Sequence, residues 1–341
     1  MREQATLIRR IFSRDTAPSL ITALLLMGSS IPADAETFTT FDPPGSEATL
    51  GGSISEAGLI SGSYYDGSIF RGYIRAVDGS FTTFDANGSI DTFAFGINAK
   101  GAVTGQYEDS NFLWHGYVRS SGGKIKTFDP SGSIRTEPLI INDKGEVTGT
   151  YEESNSRQHG FVRTADGMIT TFDPSGSQST YANCINRAGA VTGGYETSDL
   201  HFHGYIRAPD GAMMTFDVSG AVHTLPQTIN NSGTVAGFWD DSNFEVHGFV
   251  RTSDGTITTF DPKGSTYTAS DSINARGLID GNWADRNNAV HGFVRTVGGK
   301  IKAFDPPGST YTYGGGINRT GTIAGSYFDG NSVEHGYIRT P

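Results

Sequence analysis

Apolar and polar residues alternate along this chain in short runs, the period of half-buried strands rather than of helices. In the stretch from His159 to Phe202, one run carries Phe161, a second Ile169 and Phe172, a third Tyr181 to Ile185, and a fourth Val191 to Tyr195. Asp166-Gly167, Asp173-Pro174-Ser175-Gly176 and Asn186-Arg187-Ala188-Gly189 separate the runs. Each of these groups is built from residues that favour turns. With Asp166-Gly167 as a two-residue turn holding positive φ at both positions, residues whose numbers sum to 333 face each other. That register pairs Phe161 with Phe172 and Arg163 with Thr170, and an aromatic cross-strand pair adds roughly 0.2 to 1 kcal/mol over alanine.

The whole pattern recurs. His-Gly stands at His115, His159, His203, His247, His291 and His335, each 44 residues after the last, with Arg71-Gly72 in the same place in the first copy. Phe-Asp recurs at Phe41, Phe84, Phe128, Phe172, Phe216, Phe260 and Phe304. Seven copies of a four-strand unit, with strands a (ending at Ile185), b (Val191), c (Phe161 type) and d (Phe172 type), predict an all-β, seven-bladed β-propeller with four-stranded blades. The first copy begins with a d strand (Phe38 to Asp42) and the last ends with a c strand (His335 to Arg339), so the N-terminal strand is placed to complete the last blade. Such closure removes an exposed sheet edge. A β-solenoid is the alternative, although its period is usually shorter.

The repeat carries Ile-Asn-x-x-Gly-x-Val-x-Gly, as in Ile185-Asn186 to Gly193, together with His-Gly-Phe or His-Gly-Tyr. Over Thr37 to Pro341 it resembles the bacterial extracellular HAF repeats, with Gly where that family has Ala. The resemblance implies export and repeated β-structure rather than a particular activity. Trp239-Asp240 occurs once, so the repeat is not of the WD40 type, and the paired glycines of kelch repeats are missing.

Residues 1–35 read differently. Arg2, Arg9, Arg10 and Arg14 precede the apolar run Leu20 to Gly28, and Ala33-Asp34-Ala35 fits a cleavage site. This is the pattern of an export signal, and Arg9-Arg10-Ile11-Phe12 also fits a twin-arginine signal. Residues 36–341 then form one propeller domain, secreted or periplasmic, with no membrane span and expected as a monomer. That segment keeps 21 basic and 33 acidic residues. A net charge near −12 disfavours nucleic acid and anionic membrane as partners. Cys184 is the only cysteine, and no activating neighbour accompanies it, so it reads as an inert thiol.

No phosphate loop, nucleophile elbow, paired cysteines or other cofactor motif is present, and no cofactor or resident metal is expected. Asp109-Ser110-Asn111 and Asp240-Asp241-Ser242-Asn243 offer oxygen ligands but lack the full calcium-loop pattern. Six of the eight histidines hold one repeat position, which a propeller spreads around a ring, so they read as structural. What varies from copy to copy lies just before Ile-Asn: Phe93, Glu137, Tyr181, Asn183, Gln227, Asp271 and Tyr313. Strand polarity places them at the mouth of a central channel, on the face that carries the longer d-to-a and b-to-c loops. Aromatic, amide and carboxylate groups together suit a polar small molecule, a glycan, a peptide or an envelope protein. A binding or scaffold role therefore stands ahead of catalysis; the enzymatic alternative is a lyase or glycoside hydrolase using carboxylates at the same mouth.

Overall fold

Each copy of the repeat forms four antiparallel strands in the computed structural model, which describes residues 36–341. The stretch read as an export signal lies outside the described residues. In blade 4, strand a is Ser179–Ile185, strand b Val191–Glu196, strand c Phe202–Arg207 and strand d Met213–Phe216. Blades 1 to 6 follow this order along the chain. Blade 7 takes strands a to c from Tyr311–Ile317, Ile323–Phe328 and Glu334–Thr340, and its d strand is Thr37–Phe41 from the start of the domain. The expected closure is thus present: Thr37 to Phe41 pair antiparallel with Thr340 to Gly336. Arg339 Nε donates to Glu36 Oε1 at 2.6 Å, tying the same seam. Among the described residues no helix is long and apolar enough to cross a membrane.

The hairpin register differs from the expected one by a residue. Phe161 faces Thr171 and Phe172 faces Gly160. The turn is the cause. Thr164 N–H donates to Met168 O and Gly167 N–H to Thr164 O, so three residues lie between the paired positions, and of these only Gly167 takes a positive φ, +107°. A type I turn followed by a left-handed glycine bulge replaces the two-residue primed turn.

That shift explains why glycine follows the histidine, or Arg71 in the first copy, at this position in all seven copies. The Phe172 ring lies over Gly160, where a Cβ would come within 2.6 Å of the ring. The same phenylalanine then reaches across to the next blade. Its ring meets Tyr205 edge-on at 6.0 Å, and the Arg207 guanidinium caps it at 5.0 Å. All seven seams repeat this, from Phe41 against Tyr73 and Arg75 to Phe304 against Tyr337 and Arg339. Desolvated cation–π contacts and edge-to-face ring pairs contribute roughly 0.5 to 2 kcal/mol each beyond area burial.

Two further polar devices cross the seams. His159 Nδ1 pairs with Asp173 Oδ2 at 2.7 Å, while Oδ1 of the same aspartate accepts from Thr180 of blade 4 at 2.6 Å. Tyr151 stacks on the imidazole at 5.1 Å. In blade 1 Arg71 takes the histidine's place beside Asp85. At the opposite end of the blades, Asn186 Oδ1 caps its own turn by accepting from Gly189 and Ala190, and its amide donates to Asn230 O at 3.1 Å. Asn98, Asn142, Asn230 and Asn274 each donate to the asparagine one blade on, so strands a stand side by side around the axis. Blade 7 meets blade 1 through Arg319 N–H and Glu56 Oε2 at 2.9 Å.

Candidate functional site

The innermost strands are not regular. Each of strands a in blades 2 to 7 loses register with strand b at one repeat position. In blades 3 to 6 the residue left over is Leu139, Asn183, Gln227 and Asp271 in turn. In blade 7 the break spans Gly314 and Gly315, and in blade 2 Phe95 and Gly96. A bulge puts one unpaired residue into a strand and re-aims its side chain, and such features cluster beside binding sites. Three of the seven expected site residues, Asn183, Gln227 and Asp271, therefore occupy the bulge itself.

The other four, Phe93, Glu137, Tyr181 and Tyr313, share the position two residues earlier. All seven lie within strands a and are half-buried, rather than on loops. Each is packed by its own neighbourhood. Phe93 sits between Phe70 at 4.8 Å and Trp114 at 5.7 Å. Glu137 faces Arg135 at 3.9 Å. Tyr181 meets Phe202 at 5.8 Å, and Tyr313 meets Phe328 at 6.1 Å. The backbone carbonyls of Phe93, Tyr181 and Tyr313 accept from the buried hydroxyls of Tyr117, Tyr205 and Tyr337, each at 3.0 Å. Asn183 spends its amide on Pro226 O of blade 5 at 2.8 Å. With Leu139 apolar and the Asn183 amide spent in this way, Gln227 and Asp271 are the remaining polar residues on the bulges of blades 3 to 6.

Asp271 meets a second carboxylate that the repeat comparison had not singled out. Asp280, in strand b of blade 6, is 0% exposed. Its Oδ1 accepts from the Ser272 hydroxyl and its Oδ2 from Gly315 N–H. A Cβ on Gly314 would lie 2.5 Å from Asp271 Oδ2 and 3.1 Å from Asp280 Oδ2, so glycine alone leaves room for the two acids. Burial raises both proton affinities. Asp280, held by two donors, is pushed up to about 6, and Asp271, beside that charge, goes well above the ordinary carboxylate range. The sequence did carry a signal for Asp280: the corresponding place in the other copies is Ser61, Thr104, Thr148, Thr192, Ala236 and Ala324. Burial also drives the Tyr313 hydroxyl up to about 12.

The acidic b-to-c loops have a local explanation. Asp109 Oδ1 accepts from the N–H groups of Asn111 and Leu113, and Asp241 Oδ1 does the same for Asn243 and Glu245. Asp241, Glu245 and His247 bring one ligand atom each within 4.8 Å of one another, but Asp241 is committed to its loop and His247 Nδ1 to Asp261 at 2.8 Å. Cys184 is half-buried, its thiol beside Thr228 and the Ile229 carbonyl, and burial pushes the thiol up, away from thiolate chemistry.

The class this defines is a seven-bladed β-propeller whose variable groups ring the axis. No family model matches the chain, and no curated protein matches it either. Among solved structures, the β-propeller domain of the Trilobed protease from Pyrococcus furiosus, described as having an open velcro topology, is similar with a TM-score of 0.63 at 8% identity, over 85% of this chain and 95% of that one. The acylaminoacyl peptidase of Pyrococcus horikoshii gives 0.61 at 9% identity, and puromycin hydrolase 0.59 at 11%. This chain covers 52% of each of those two. At such identities the likeness concerns the fold.

Proposed function

We propose that the protein is an exported binding propeller that holds a polar ligand, a glycan or a peptide of the cell envelope, against the inner-strand row. One observation carries this reading: every blade keeps the same seams, while the position that a bulge re-aims changes from Leu139 to Asn183, Gln227 and Asp271 around the axis. Tyr181 and Tyr313 add stacking surfaces two residues before it, which suits sugar rings or peptide side chains. The resemblance to extracellular HAF repeats and the signal-like residues 1–35 support a secreted or periplasmic location.

Glycan and envelope-peptide arrays probed with the protein test the idea. A ligand found this way should lose at least about tenfold in affinity, roughly 1.4 kcal/mol, in a Tyr181→Ala, Tyr313→Ala double variant that still folds. Undiminished binding in that variant would move the site off the inner strands.

The Asp271–Asp280 pair favours a second reading, catalysis at the same row. Neighbouring carboxylates with separated proton affinities can serve as acid and base. Turnover of an array ligand, abolished by Asp280→Asn while binding persists, would select this reading over simple recognition.

A further inference from the structure

We infer that the rim where blades 4 and 5 meet is a docking surface for a protein segment that presents an apolar side chain flanked by lysine or arginine. This lies beyond the inner-strand site: of its residues only His223 stands on an inner strand, at the start of the one that carries Gln227.

The b-to-c loops share one backbone shape, and in blades 2 to 7 its fourth residue holds a φ between 60° and 67°. Ser156, Asn288 and Ser332 fill that place in blades 3, 6 and 7. Blades 2, 4 and 5 instead carry Phe112, Leu200 and Phe244. A bulky side chain at positive φ is strained, by about 1 to 3 kcal/mol. These three are also 72%, 68% and 67% exposed. Neither the backbone nor the core asks for them, since serine and asparagine serve elsewhere in the ring. Strain retained together with exposed apolar surface points to contact with something outside the chain.

Between Leu200 and Phe244 lies a floor found at no other seam. His201 and His223, the two histidines outside the repeat position, meet edge-on at 5.8 Å. His223 also packs against Phe202 at 5.5 Å and Phe244 at 6.4 Å. Its Nδ1 accepts the Phe202 N–H at 3.1 Å, which leaves the proton of the neutral ring on Nε2. Burial, and then the neighbouring imidazoles, lower the proton affinity of His223, which favours its neutral ring. The adjoining loops and turns of blades 4 and 5 carry exposed carboxylates, Asp199, 3.5 Å from His201 Nδ1, Asp217, beside His203, and Glu245, with half-buried Asp241. Glu245 and Arg286 line a cavity of about 230 Å3 on the blade 6 side. An apolar centre with an acidic border is complementary to an apolar side chain with basic neighbours. Anionic membrane is repelled by the same border.

A short synthetic peptide of alternating lysine and leucine, labelled with a fluorophore, serves as the probe at roughly physiological salt. Its anisotropy titration against the protein should give an affinity that falls at least about tenfold in a Leu200→Ser, Phe244→Ser double variant. Serine already takes this backbone shape at Ser156 and Ser332, so the variant keeps its loops. Phe112→Ser, in blade 2, should leave the affinity unchanged, and a glutamate–leucine peptide should not bind. The inference is overturned by full affinity in the double variant, by an equal loss with Phe112→Ser, or by equal binding of the glutamate–leucine peptide. Phosphatidylcholine vesicles that bind better than the peptide, and lose binding in the same variant, would overturn it in favour of a lipid surface.

Discussion

The seams between blades and the innermost strands use the same repeat in opposite ways. At a seam, one glycine, one phenylalanine and one arginine recur seven times with nearly the same geometry, the arginine standing 4.7 to 5.1 Å from the ring. Along the inner strands the backbone irregularity recurs but the side chain on it does not. A ring of blades can tolerate no variation where each unit must fit the next, because one misfit opens the circle. Toward the axis the bulged residue has no strand partner to match, so its side chain is free to differ.

Removing the closing strand breaks the seam most severely. Deletion of residues 36–43 takes the d strand from blade 7 together with Phe38, Phe41 and the Glu36–Arg339 ion pair, and leaves Glu334–Thr340 as an open edge. A sharp fall in melting temperature or aggregation is expected by circular dichroism and size-exclusion chromatography, and an unchanged melt would refute closure.

Next comes the fit of ring on glycine. Phe172→Ala should cost about 3 kcal/mol, the low end for a phenylalanine truncation because the ring is half-buried. Gly160→Ala should cost about 1 to 3 kcal/mol, since its methyl group would press into that ring. In the double variant the clash disappears with the ring, so the denaturant-measured losses should sum to less than the two singles. Additive losses would separate the two residues and return the hairpin to the register read from the turn alone.

Thr180→Val probes the polar link across the same seam. It removes the donor to Asp173 Oδ1 without changing shape, for an expected loss of about 1 to 3 kcal/mol by denaturant titration. A loss near zero would mean that water replaces the threonine.

The smallest effect separates blade 6 from the rest of the inner ring. Asp271 binds its proton more tightly in the folded protein than in the unfolded chain. The folded state therefore holds a proton that the unfolded state has released, and this stability is full below about pH 4 and is lost as pH rises toward the folded value. Asp280 adds to the slope up to about pH 6. Asp271→Asn should flatten the fall in stability between pH 4 and 6 relative to the parent, measured by urea melts across that range. An identical slope in the variant would show that Asp271 binds its proton no more tightly in the folded protein than in the unfolded chain.

Repeat spacing, alternation and the position of the first d strand settled the number of blades, the strands in each and the means of closure, because these follow from a period and a count that every copy states again. The constant His, Asp, Asn and Gly were recognisable as structural for the same reason. The hairpin register was not readable: Asp166-Gly167 fits two turns that differ by one residue, and only the packing of Phe172 on Gly160 and Tyr205 selects between them. Row membership of Tyr181 and Asn183 was visible as variation, yet the bulge that divides them into two kinds of position is a property of paired strands. Asp280 departs from its six counterparts in plain view. Its meaning depends on Asp271 and Gly314 arriving beside it from a neighbouring strand and the next blade, and proximity across a fold is something that one-dimensional order does not contain.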